Sequence, residues 1–166
     1  ALAIALQPDG KILLAGQTLN GVNTDFAVVR YNSNGTLDAS FDADGIITTP
    51  IGTGSEFARS VALSPNGKIV VTGQTFNGTN NDIAVARYNP NGSLDTSFNN
   101  TGIATFAVGA ATDTAYAVQV QRDDKIVVAG YYFNGANNDA LVFRLSENGT
   151  LDPTFGTGGI VTTAVG

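Results

Sequence analysis

The chain has 166 residues, 43% of them hydrophobic and 13% charged, which is enough for one domain with a sizeable core and excludes a disordered polymer. Its net charge of -6 comes from 14 acidic residues against 8 scattered basic ones, which excludes a phosphate-reading nucleic-acid surface and disfavours an anionic membrane partner. It contains no Cys and no His, so disulfides, thiolate or imidazole metal sites, a cysteine nucleophile and a Ser-His-Asp triad are all ruled out, while a carboxylate pair could still hydrolyse a glycoside.

Taken in chain order, the apolar runs have strand period. "ALAIAL" at 1–6 and "ILLAGQ" at 12–17 flank the turn "QPDGK" and read as a hairpin. After the polar loop "NGVNTD" comes a third strand, "FAVVRY" at 26–31. The connection "NSNGTLDASFDAD" then leads to a fourth, "GIITTPI" at 45–51. Val, Ile, Thr and aromatics fill the runs, while Gly, Asn, Asp and Pro punctuate them.

The same series is then written twice more. Lys11, Lys68 and Lys125 mark a spacing of 57 residues that holds without insertion or deletion, giving units 1–57, 58–114 and 115–166, the last one shortened at its end. Four short strands per unit fit either a propeller blade or a solenoid coil, and the tight first hairpin demands antiparallel neighbours, which selects the blade. The fold expected is all-β: β-propeller blades, as three four-stranded antiparallel repeats. Runs such as "KILLAG" and "KIVVTG" are apolar on both sides, as suits strands packed between two neighbouring blades.

The stretches "NGKI", "NDIAVARYNPNG" and "NGSLDTSF" within 66–103, echoed at 9–46 (where the hairpin reads "DGKI") and at 123–160, together resemble the bacterial delta-60 repeat. That resemblance covers nearly the whole chain and implies a propeller-forming module of large secreted or surface bacterial proteins, with no catalytic residues. Two departures are visible: Asp124 stands in place of the hairpin Gly, and Leu145 in place of the Tyr that follows Arg.

Residues fixed in every copy are those of a building block, since a ligand site needs a group once. Asn20, Gly21 and Asp25 recur in each unit, Asp25 as Asp82 and Asp139, and read as a self-holding loop. Arg30, Arg87 and Arg144 stand in apolar strands and need anionic partners. The odd spacing from Asp25 points it to the opposite face, so Asp38, Asp95 and Asp152 are the expected partners, in the same blade or the next. Leu37 and Phe41, four apart, are expected to share one face of a helical turn that Asp38 caps. No metal or other cofactor is expected; Asp42 and Asp44 of "DADG" are the candidate calcium ligands, although the later copies keep only the Gly. Tyr131, Tyr132 and Phe133 are the one aromatic cluster and the candidate binding patch for a sugar or a protein.

Three blades fall short of the roughly 4–8 that enclose a propeller axis. Self-association is therefore expected, as a dimer completing six blades, a longer ring or a fibre. The function expected is a non-enzymatic scaffold, adhesion or interaction module, extracellular or on a bacterial surface; the alternative is a lectin-like propeller with sites between blades. The chain opens with Ala1 and has no apolar run of 18 residues, so a processed or excised piece with no membrane-spanning helix is expected.

Overall fold

A computed structural model describes residues 1–165. The first sheet holds β1 (Ala3–Leu6), β2 (Ile12–Leu19), β3 (Thr24–Tyr31) and β4 (Ile46–Thr49). The second holds β5 (Glu56–Leu63), β6 (Ile69–Phe76), β7 (Asn81–Tyr88) and β8 (Ile103–Phe106). The third holds β9 (Thr114–Val120), β10 (Ile126–Phe133), β11 (Asn138–Leu145) and β12 (Ile160–Thr163). Strands pair in chain order, all antiparallel, and no helix occurs among the described residues, so the all-β reading of three four-stranded blades holds. The first strands of blades 2 and 3 begin at Glu56 and Thr114, just ahead of the periodic cuts at 57/58 and 114/115, because those cuts were placed by where Ala1 falls.

Antiparallel pairing puts alternate residues of each blade on opposite faces. One face of blade 1, carrying Leu13, Ala15, Phe26, Val28, Phe41 and Ile47, packs on the face of blade 2 carrying Val61, Ile69, Val71, Ala84, Ala86 and Tyr88. The other face of blade 2, with Val70, Ile83, Val85, Phe98 and Ala104, packs on Val118, Ile126, Val128, Leu141, Phe143 and Leu145 of blade 3. The core is thus two slabs, one per junction. The central strand β6 is buried from Ile69 to Thr75 because a blade covers each of its sides. Each Val or Ile so enclosed contributes about 1.5–3 kcal/mol.

The first hairpin turns on left-handed residues, Gly10 at φ 84° and Gly67 at φ 83°; Asp124 holds the same place in blade 3 at φ 61°, a region that Asp enters more easily than most residues. The repeated Gly16, Gly73 and Gly130 have another cause. Opposite Gly73 the pairing of β5 with β6 slips between Ala58 and Ser60, and opposite Gly130 that of β9 with β10 slips likewise. The bulge brings backbone so close that a Cβ on Gly73 would lie 1.9 Å from the Phe57 carbonyl oxygen.

The segment 37–41 corrects one expectation, for no helical turn forms there. Leu37 bridges to Tyr31 and stays exposed while Phe41 is fully buried, so the two do not share a face. The chain reverses instead: Asp38 accepts the Ser40 N–H, Phe41 N–H donates to the Asp38 carbonyl, and Asp42 and Ala43 take positive φ.

Gly73→Ala should lower the denaturant midpoint by an amount worth more than about 2 kcal/mol, since a backbone carbonyl cannot step aside. Gly78→Ala, with φ 102° and nothing within 4 Å, should lower it by only about 1 kcal/mol. Equal losses would show that positive φ, not close approach, sets the requirement for Gly at position 73.

Candidate functional site

The charged residues held inside the blades form one cluster, built three times. In blade 1, Arg30 on β3 donates through Nε to Asp38 Oδ2 at 2.7 Å, and Lys11, from the end of the first hairpin, reaches the same oxygen at 2.9 Å. Asp38 Oδ1 accepts the Ser40 backbone N–H at 3.1 Å and its hydroxyl at 2.7 Å. Arg30 Nη2 donates to Ser40 Oγ at 3.2 Å, and the guanidinium lies 4.4 Å from the centre of the Phe41 ring. Blade 2 repeats this with Arg87, Asp95, Lys68, Ser97 and Phe98, and blade 3 with Arg144, Asp152, Lys125, Thr154 and Phe155. The expected Arg–Asp clamp is therefore present and lies within each blade. Lys11 and the hydroxyl of Ser40 are members that the sequence reading did not assign, although Lys11 is among the residues fixed in every unit.

The cluster also joins blades. Arg30 Nη1 donates to the Pro90 carbonyl of blade 2 at 2.5 Å, and Arg87 Nη1 to the Glu147 carbonyl of blade 3 at 2.5 Å. Beside these contacts, Asp42 N–H donates to the Asn91 carbonyl at 3.0 Å and Asn99 N–H to the Asn148 carbonyl at 2.8 Å. Arg144 differs: its Nη1 finds no acceptor among the described residues, and its side chain is 19% exposed against 5% for Arg30 and 4% for Arg87.

These surroundings hold the clamp carboxylates in their charged form. Asp38 lies well below the usual carboxylate range, chiefly through the Lys11 hydrogen bond and then Ser40, against the opposing pull of burial. Burial is the largest influence on Asp95 and raises it, but Lys68, Ser97 and Arg87 together outweigh it and bring it down to about 2. Asp152 is also lowered, first by its hydrogen bonds from Thr154. Glu56 goes the other way: it is fully buried at the start of β5, and desolvation, with Asp25 nearby, raises it.

Asp25, Asp82 and Asp139 do not meet the arginines; each closes its own hairpin. Asn20 Nδ2 donates to both Asp25 oxygens at 3.0 Å while Asn20 Oδ1 accepts the N–H groups of Val22 and Asn23, and Asn77 with Asp82 and Asn134 with Asp139 repeat the arrangement. Asp42 and Asp44 are exposed turn residues, Asp44 accepting the Ile46 N–H at 2.8 Å, and no third carboxylate joins them among the described residues. The aromatic run is divided: Tyr132 packs toward blade 2 and lines a hollow with Phe133 and Gly109, while Tyr131 lies on the other face with its ring 5.8 Å from that of Tyr116, tilted by 39°. Tyr132 and Phe133 therefore share a site that Tyr131 does not join.

The stack of blades leaves an apolar face uncovered at each end. On blade 1 the outer face carries Ile4, Leu6, Leu14, Val29 and Ile46, with Ile4 64% and Leu6 70% exposed. On blade 3 the outer face carries Val127, Ala129, Val142, Phe155 and Val161. Each matches, residue for residue, a face that is buried at an internal junction.

The family model described as "Domain of unknown function (DUF5122) beta-propeller" matches the chain over residues 7–41, 64–98 and 121–155, once per blade and over more than half of the length. Each match spans the clamp, from the Lys of the hairpin to the Phe under the Arg. No curated protein matches the chain.

Arg87→Ala should destabilise by about 3 kcal/mol by leaving Asp95 half-paired and the Glu147 carbonyl without its donor, and Arg144→Ala by clearly less, as read by thermal and denaturant unfolding. Because Asp95 is depressed from its ordinary 3.8 to about 2, its contribution is present above pH 3.8 and is lost as pH falls toward about 2. Asp95→Asn should flatten that acid limb of the midpoint curve. Glu56 has the opposite sign: its raised folded pKa means stability falls as pH rises past its ordinary 4.5, so Glu56→Gln should raise the melting temperature at neutral pH and not at pH 3. A melting temperature at pH 7 lower than the parent's would show that the carboxylate of Glu56 supports the fold.

Proposed function

The chain belongs to the DUF5122 β-propeller family, and from that premise we propose that it is a non-enzymatic scaffold and interaction module, part of an extracellular or surface bacterial protein, that associates through its blade faces. The observation that carries this is the pair of apolar faces at the two ends of the stack, Ile4, Leu6 and Ile46 on one and Val161 on the other, all exposed in the isolated chain. Exposed apolar surface of this kind marks an association site. The buried charges support the same reading, because each of the three clusters is occupied in holding blade to loop and repeats as scaffold. Two chains would bring six blades together, within the roughly 4–8 that surround a propeller axis.

The decisive measurement is the mass in solution by light scattering across a concentration series. A species heavier than the 17.0 kDa chain, reduced to a single chain by Leu14→Asp on the outer face of blade 1, is the expected result. A chain that stays single at every concentration and gives a hit on a glycan array would overturn it in favour of a carbohydrate-binding propeller, with the crevice between Arg87, Ser97, Glu147 and Asn148 as the first place to search.

A further inference from the structure

We infer that the partner of the open blade-3 face is the open blade-1 face of a second copy of this chain, docked head to tail so that Arg144 Nη1 donates to the Ser33 carbonyl of that copy. The proposal rests on association through the blade faces and adds which face meets which, and through which groups.

Four observations converge on it. The first is the unfinished arginine. Arg30 and Arg87 each place Nη1 on a carbonyl one blade ahead, at Pro90 and Glu147, and the residue in that position of blade 1 is Ser33. Arg144 is the one clamp arginine with no such carbonyl among the described residues, and it is held ready by Asp152, Thr154 and the Phe155 ring. A carbonyl needs no particular side chain, so Pro, Glu and Ser serve equally.

The second is the glycine under the phenylalanine. A Cβ on Gly92 would lie 3.2 Å from the Phe41 ring of the preceding blade, and one on Gly149 would lie 2.8 Å from that of Phe98. Both glycines are buried under those rings. Gly35, their counterpart in blade 1, has nothing within 4 Å, and Phe155 on blade 3 is only half-buried. An empty seat and an unseated ring remain at the two ends of the stack.

The third is a polar pair that follows the junction. Between blades 1 and 2 the Thr49 and Tyr88 hydroxyls meet at 2.7 Å in a buried site. Between blades 2 and 3 the same two positions are Phe106 and Leu145, both in the apolar slab. The two positions change together, as they must, since a lone buried hydroxyl costs about 1–3 kcal/mol. At the open ends stand Thr163 on blade 3 and Tyr31 on blade 1, the polar pair again, correctly handed for a head-to-tail contact.

The fourth is bulk on the open face. Blades 1 and 2 place Phe26 and Ile83 on their forward faces, across from Gln17 and Gln74; blade 3 has Ala140 there and Tyr131 across from it. The aromatic has moved one strand over, and the outward face keeps its bulk. A contact made this way is heterologous, and with two copies it forms the same junction twice.

Two measurements test it together. Gly35→Asn keeps a residue that accepts left-handed φ and meets no atom in the single chain, yet sets a Cβ where the Phe155 ring of another copy must lie. It should weaken association about tenfold or more while leaving the melting temperature of the diluted chain unchanged, whereas Gly21→Asn, equally open and at positive φ, should leave association unchanged. Because the chain has no Cys, Tyr31→Cys with Thr163→Cys introduces the only thiols, and blade 2 stands between them within one chain. A short bismaleimide should join position 31 of one copy to position 163 of another, as peptide mapping reads. An associated chain that links only 31 to 31 or 163 to 163, or that is indifferent to Gly35→Asn, would overturn head-to-tail docking and leave blade-face association standing. A parent chain that never exceeds one chain mass would overturn both.

Discussion

One guanidinium per blade ties the local fold to the stack. Arg30 gives Nε to Asp38 and Nη2 to Ser40 in its own blade, lays its face on Phe41, and gives Nη1 to a carbonyl of the next blade. A planar fork with fixed donor directions can serve three acceptors at once, which a Lys ammonium could not do with the same geometry. The loop that follows β3 is therefore anchored, its Phe is pressed into the junction, and the next blade is set in register by the same side chain. Burying so much charge is tolerable because every polar atom of the Asp is occupied: Lys11 and Arg30 on one oxygen, Ser40 on the other.

Around that fixed frame the apolar residues vary by compensation. In the first junction Phe26 shares its cluster with Ala84, and Ile47 with Ala86; in the second, the same places hold Ile83 with Leu141 and Ala104 with Phe143. Where one face loses bulk the facing one gains it, which keeps packing dense while the identities drift. Phe106 also comes within 5.1 Å of Phe143, filling a place where the first junction uses a hydroxyl pair. The junction, not the blade, is thus the unit over which volume and polarity are balanced, and this is why the end faces of the stack can be compared with the internal ones.

Two distinct physical needs call for glycine, and Gly92 and Gly149 meet both at once. Gly10, Gly35 and Gly67 supply left-handed backbone in turns, a service Asp124 performs in one copy. Gly73 and Gly130 supply room at a bulge, where no side chain of any shape fits. Sequence identity across the units looks the same for both, and only contact geometry separates them.

Strand period, the spacing of Lys11, Lys68 and Lys125, the tight hairpin turn and the Arg–Asp partnership follow from the sequence alone, because each is a local or cross-repeat regularity of side chains. The loop role of Asn20 and Asp25 was legible for the same reason. The helical turn at Leu37 and Phe41 was misjudged, since an i, i+4 spacing does not say whether Asp38 will hold a reversal instead. The run Tyr131, Tyr132 and Phe133 reads as one patch in sequence, but strand alternation sets Tyr131 apart from the hollow that Tyr132 and Phe133 line. The most consequential groups left no letter to read: the carbonyls of Pro90 and Glu147 are backbone acceptors, indifferent to residue type, and the empty seat at Gly35 is defined by an atom on another blade. What a side chain is lies in the sequence; which backbone it meets across a junction is decided only when the blades are stacked, because that contact is set by the rigid offset between sheets.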